Sequence, residues 1–167
     1  GWDDARKLAY SPGDHRAVYF ATFLDPAEWG PGRAVPQAAG STGPRHPGYA
    51  LATGGVDHMK FWCAEGRSLV PERGLWGAEA KVQPMLCCCA VGNKLVTGAI
   101  SGHLYVWRGR RCERVIRAHE TLVTALWACP AGVVSGGGDG FVKLYNAKLE
   151  HQVVRRRVVH FHEPGPE

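Results

Sequence analysis

Ser135-Gly-Gly-Gly-Asp-Gly-Phe-Val-Lys-Leu-Tyr145 is the stretch on which the fold turns. A small hydroxyl residue closes the β-prone run Val133-Val134-Ser135. Glycines and one aspartate then make a tight turn, and Phe141 to Tyr145 reads as the returning strand. The same order recurs twice upstream, in Thr53-Gly-Gly-Val-Asp-His-Met-Lys-Phe-Trp62 and Thr97-Gly-Ala-Ile-Ser-Gly-His-Leu-Tyr-Val-Trp107. The terminal aromatics Trp62, Trp107 and Tyr145 are spaced by 45 and 38 residues. The second and third hairpins each follow a further apolar run, at 82–91 and 122–129, which reads as an innermost strand buried on both faces. No segment carries a helical period, and nothing suggests alternation of strands with helices.

A repeat of roughly 40 residues containing four short strands has the period of a propeller blade. The expected fold is therefore all-β: a partial β-propeller of about three four-stranded blades, plus the outer strand of a preceding blade. Residues 1–16 would end that preceding blade. Residues 17–70 would form the first full blade, 71–116 the second and 117–159 the third, with 160–167 as a tail. The chain begins at Gly1, and Trp2-Asp3 reads as the end of a unit begun earlier, so it is expected to be a piece of a larger ring. Closed rings need about four to eight blades. The isolated piece is accordingly expected to need its remaining blades, or a closing partner, for stability. One stretch breaks the pattern: residues 25–48, rich in Gly, Pro and Ala, read as a loop insertion without regular structure.

Composition narrows the function classes. Hydrophobic residues make up 45% and charged residues 21%, a globular balance. The net charge of +5 favours an acidic partner, yet the basic residues do not line one helix or groove as in a dedicated nucleic-acid binder. Trp29, Trp76 and Trp127 lack interleaved basic residues on one strand face, so packing is the better reading than base stacking. No apolar run approaches the roughly 20 residues that cross a membrane. The six cysteines at 63, 87, 88, 89, 112 and 129 contain no C-x-x-C pair. They read as buried reduced thiols, with neither a metal site nor a disulfide framework expected. The turn at 136–140 has no following Lys-Ser/Thr and no helix, so it is not a phosphate cradle, and no cofactor is expected.

Ala118-His119, Ser135, Asp139 and Tyr145 together resemble the WD-repeat family. That resemblance implies a structural hydrogen-bond network of His119, Ser135, Asp139 and Tyr145 inside the third blade. A Ser/His/Asp catalytic reading of the same residues fails for want of a strained strand-to-helix turn to expose Ser135; no enzyme activity is expected. The other units depart from the pattern. Lys81 and Ser101 stand at the His and Asp positions of the second, and the turn of the first is one residue shorter, with Asp57 five before Trp62. Those blades are expected to rely on packing.

A narrower resemblance rests on Gly55-Val-Asp-His-Met-Lys-Phe-Trp62, Gly66-Arg-Ser-Leu69 and Arg73-Gly-Leu-Trp-Gly77. It continues through Leu95-Val-Thr-Gly98, Val106-Trp107 and Ile116-Arg-Ala-His119. The run is similar to the echinoderm microtubule-associated-protein-like family, well over residues 49–146 and loosely over 1–24, where Trp2-Asp3 and Lys7-Leu8-Ala9 match the join between repeats. The resemblance implies a non-catalytic module that binds tubulin or microtubules, located in the cytoplasm on the cytoskeleton. The competing reading is a general protein-interaction scaffold with a non-cytoskeletal partner. In either case the candidate contact residues are the basic ones on loops and rims: Lys81, Arg108, Arg110, Arg111 and Arg117.

Overall fold

The computed structural model describes residues 16–29, 48–65, 68–150 and 152–158. The expected outer strand within residues 1–16 and most of the insertion lie outside them. The described residues form three four-stranded antiparallel sheets, each in simple up-and-down order. The first holds β1 (Val18–Phe23), β2 (Leu51–Gly55), β3 (His58–Glu65) and β4 (Ser68–Arg73). The second holds β5 (Met85–Val91), β6 (Lys94–Ala99), β7 (His103–Arg108) and β8 (Arg111–Arg117). The third holds β9 (Val123–Cys129), β10 (Gly132–Gly137), β11 (Phe141–Asn146) and β12 (Gln152–Arg157). The first strands of neighbouring sheets meet, β1 against β5 and β5 against β9, as the inner strands of propeller blades do. β4 runs on to Arg73, so residues 71–73 belong to the first sheet.

Strand alternation builds the stack. On β6 and β7, Leu95, Tyr105 and Trp107 turn toward the first sheet and, with Met85 of β5, join its Phe61 and Met59. Val96, Leu104 and Val106 turn the other way and join Val123, Val133 and Tyr145 of the third. The period-two side-chain direction of a strand thus divides one sheet between two cores. Aromatic rings dominate the first core: Phe61 lies 5.9 Å from Trp107, and Trp76 stands edge-on to Trp107 at 5.1 Å.

Gly102 shows why a turn here must be glycine. Its φ is +81°, and a Cβ would lie 2.3 Å from the His119 carbonyl oxygen. Its own carbonyl accepts the Ala118 and His119 amides at 3.1 and 2.8 Å, fastening the β6–β7 turn to the loop that enters the third sheet.

Two expectations are corrected. The run 122–129 is not buried on both faces: Trp127 on β9 is 71% exposed, and Thr124 and Ala125 are exposed as well. Phe23, on β1 at the other end of the stack, is 85% exposed. Among the described residues no sheet packs on either outward face. The insertion, in turn, is not wholly irregular. Pro26–Trp29 forms one helical turn, α1, and Trp29 is fully buried against Phe61, its indole N–H donating to the Gly92 carbonyl at 3.1 Å. The local signal is Asp25-Pro26. The Asp25 side chain accepts the Ala27 amide at 2.8 Å as an N-cap, and proline suits the first helical position.

Candidate protein-interaction surface

One face of the stack is built from the β2–β3, β6–β7 and β10–β11 turns and the segments that precede each inner strand. Each turn is hydrogen-bonded to its own preceding segment: Val56 N–H to Ala17, Ile100 N–H to Pro84 and Gly138 N–H to Leu122, at 3.0, 3.1 and 2.9 Å. These backbone ties make the face a rigid rim on which side chains can be displayed.

Beneath the rim of the third sheet lies the most polar cluster. His119 Nδ1–H donates to the Asp139 carboxylate at 2.9 and 3.1 Å, because a carboxylate can only accept. Its Nε2 pairs with the Ser135 hydroxyl at 2.9 Å. Asp139 also accepts the Glu120 and Phe141 amides, each at 3.1 Å. Burial pushes the Asp139 carboxyl up, but those two amides and His119 outweigh it and hold it below the usual carboxylate range. Lys143, buried beside them, donates to the Ala118 carbonyl. Tyr145 stands next to this cluster, buried, but its hydroxyl is not in the chain of hydrogen bonds; burial and the nearby Asp139 charge push its phenol up.

The order Asp–His–Ser is that of a hydrolytic triad, and the distances would suit one. Access does not. Ser135 is 0% and His119 2% exposed, so no substrate carbonyl can reach the hydroxyl. The geometry ties a loop to a turn.

The first two sheets carry the other half of such a network. Trp62 Nε1–H donates to Thr53 Oγ1 at 2.9 Å, and Trp107 Nε1–H donates to Thr97 Oγ1 at 3.0 Å. In the second sheet Lys81 occupies the place of His119, yet its side chain does not replace it. Gln83 does: its Nε2 donates to the Tyr105 hydroxyl at 2.5 Å and its Oε1 accepts the Ser101 amide at 3.2 Å. Sequence alignment against the His position missed Gln83, which lies two residues further on. In the first sheet Asp57 sits exposed at the turn with φ +53°.

Of the basic candidates, Lys81 and Arg117 are exposed on this face, and Arg111 is exposed at the β7–β8 hairpin. Arg108 and Arg110 are engaged within the protein. Arg108 pairs with Glu113 at 3.2 Å, and Arg110 pairs with Glu72 at 3.1 Å while donating to the Arg73 carbonyl at 3.2 Å. Arg110 thereby ties the second sheet to the first. Sequence spacing could not show this, because the carboxylate comes from a different sheet.

Two clefts open on the rim and share Val82. The larger, about 410 Å³, lies between the first and second sheets and is lined by Arg16, Asp57, His58, Lys60, Arg73 and Trp76 among others. The smaller, about 350 Å³, is lined by Glu79, Lys81, Gln83, Ser101 and His103 among others. Apart from Lys81, none of the basic residues of these clefts was singled out from the sequence; Arg73, in the Arg-Gly-Leu-Trp-Gly run, carried the clearest signal.

Among the described residues, no group of three or more His, Cys, Asp or Glu is arranged to hold a metal ion, and no helix is long and apolar enough to cross a membrane. None of the six cysteines is in a disulfide. Burial pushes the Cys87 and Cys112 thiols up to about 11 and those of Cys88 and Cys89 up to about 12, which leaves little thiolate at neutral pH.

No protein-family model matches the chain. Over 93 residues, 53% of its length, it is 40% identical to echinoderm microtubule-associated protein-like 2 of Rattus norvegicus and of Homo sapiens, and 41% identical to that of Mus musculus. The match spans 14% of each of these relatives. Solved structures of similar fold include the WD40 repeats of RRP9, at TM-score 0.63 and 14% identity over 86% of this chain and 39% of that one. U3-55K aligns at TM-score 0.64 and 13% identity, over 88% of this chain and 41% of that one. The computationally designed Ika4 protein aligns at TM-score 0.63 and 17% identity, over 92% of this chain and 80% of that one. Three up-and-down sheets meeting at their inner strands and the likeness to solved WD40 repeats give this chain the fold of part of a β-propeller, and over about half its length its sequence is similar to the echinoderm microtubule-associated-protein-like proteins.

Proposed function

We propose that this chain is a non-catalytic WD-repeat module that binds tubulin in microtubules, and that it acts in the cytoplasm on the cytoskeleton. The observation that carries the reading is the 40% identity over 93 residues to echinoderm microtubule-associated protein-like 2. The electrostatics agree with it: an overall charge of +5, with Lys81, Arg117 and Arg111 displayed to solvent, suits an acidic protein surface. The buried Ser135 and His119 support a binding role over hydrolysis.

The test is co-sedimentation with stabilised microtubules across a salt series. The protein is expected to pellet at low ionic strength and to be released as salt rises, because exposed charge contacts are screened beyond about 10 Å at 0.1 M. Failure to pellet at low salt removes tubulin as the partner and leaves a scaffold for another protein.

A further inference from the structure

The larger cleft has a composition that the fold itself does not call for. Its basic groups come from three places in the chain: Arg16 ahead of β1, Lys60 on β3 and Arg73 at the end of β4. Among the described residues, Asp57 is the one carboxylate in its lining. Among the described residues no ion pair engages Arg16 or Arg73. Arg16 makes a long hydrogen bond to the Asp57 carbonyl, 3.4 Å, and both arginines are exposed. Lys60 is largely buried, with its ammonium 5.7 Å from the centroid of the Trp62 ring. One side of the cleft is therefore cationic. The other is apolar, formed by Met59, Trp76 and Val82, and Val82 is 55% exposed.

The walls are held in place by packing. At Gly74, on the floor, a Cβ would come within 3.0 Å of both Met59 and the Trp107 ring. Trp76 is fixed edge-on against Tyr105 and Trp107. Little ordering is left for a ligand to impose, which favours binding. A volume of about 410 Å³ lies in the range of roughly 300–1,000 Å³ usual for ligand sites.

We propose that this cleft docks an acidic peptide segment of a protein partner, a carboxylate seating between Arg16 and Arg73 while a neighbouring apolar side chain packs on Trp76 and Val82. The planar guanidinium forks match a carboxylate, and the aromatic wall selects against a peptide that is merely charged. The inference rests on the protein-binding reading above and names the rim position that would carry it.

The test is fluorescence anisotropy of the intact protein with a fluorescein-labelled peptide in which leucine alternates with glutamate. The control peptide carries glutamine for every glutamate. The glutamate peptide should bind and the glutamine peptide should not. Arg73→Glu and Arg16→Glu should each weaken binding about tenfold. Arg156→Glu, the same charge change on β12 of the third sheet, should leave it unaltered. Both cleft arginines are exposed, and a thermal melt of each variant checks that folding is retained. Equal weakening by Arg156→Glu, or equal binding of the two peptides, overturns the proposal. Microtubule pelleting of the same variants separates it from the tubulin reading. A peptide response without pelleting sustains the cleft and removes tubulin. Pelleting without a peptide response overturns the cleft and leaves tubulin in place.

Discussion

In the third sheet an anion fastens the inter-sheet loop to the turn: Asp139 collects two backbone amides and the His119 ring, and His119 passes the link to Ser135. In the second sheet a neutral amide does that work. Gln83 holds the Ser101 amide with its oxygen and the Tyr105 hydroxyl with its nitrogen. Below the rim the roles reverse. The first two sheets carry a tryptophan that donates to a threonine, whereas the third has Tyr145 at that position and no such donor. The third sheet thus keeps only the turn tie, whereas the second keeps the tryptophan–threonine bond and replaces the ionic tie with a neutral one. The aromatic half is allied to a packed aromatic core, and the ionic half depends on a single charged group. The lesson is that a blade can lose either half if the other still satisfies the groups it buries.

The largest expected effect breaks the aromatic half. Trp107→Ala empties a fully buried site between the first two sheets and should cost about 4 kcal/mol, read as a lowered urea midpoint. A loss below about 1 kcal/mol would mean that the aromatic core does not hold these sheets together. Next comes the ionic half. His119→Ala leaves Asp139 and Ser135 without their shared partner and should cost about 2–3 kcal/mol. Hydrogen exchange should rise at the β10–β11 turn while β6 and β7 stay protected. Uniform loss of protection across all three sheets would contradict the division of labour.

Acid sharpens the same contrast. Because Asp139 is held below its ordinary value in the folded protein, its contribution is complete above the unfolded carboxylate value, about 4, and is lost as pH falls through the lower folded value. Asp139→Asn should abolish that acid sensitivity at the β10–β11 turn, whereas the Gln83 tie, which contains no carboxylate, should be indifferent to pH in this range. The smallest expected effect is at Thr97. Thr97→Val keeps the shape, removes the acceptor for the Trp107 indole and should cost about 1–2 kcal/mol by thermal unfolding.

Much of the fold was legible because it is written locally. The hydroxyl–glycine–turn–aromatic order marks each central hairpin, and period-two alternation places Leu95 and Val96 on opposite faces of one sheet. The His119–Asp139–Ser135 cluster was legible through the resemblance of its residues to the WD-repeat pattern, although Tyr145, which that resemblance also implies, stays out of the hydrogen-bond chain. The cleft was not, since Arg16, Lys60 and Arg73 converge only once β1 to β4 have formed one sheet. Nor was Gln83, because the loop ahead of β5 places it, rather than Lys81, against Ser101. Arg108 and Arg110 looked available for a partner until Glu113 and Glu72 were found beside them.

By itself, then, the sequence determined the repeat, the sheet pairing and the polar cluster of the third blade. The first two depend on side-chain direction along a strand and on what a tight turn demands of its residues, both set within a few positions of chain; the cluster, whose members lie 16 and 20 residues apart, was read from its resemblance to a known repeat. Only the tertiary structure decided which charges are exposed and which are spent on neighbouring sheets, that Trp29 leaves its loop to fill the first core, and that three distant cations share one cleft. Those outcomes depend on distances between sheets, which come from packing two cores at once and are encoded at no single position.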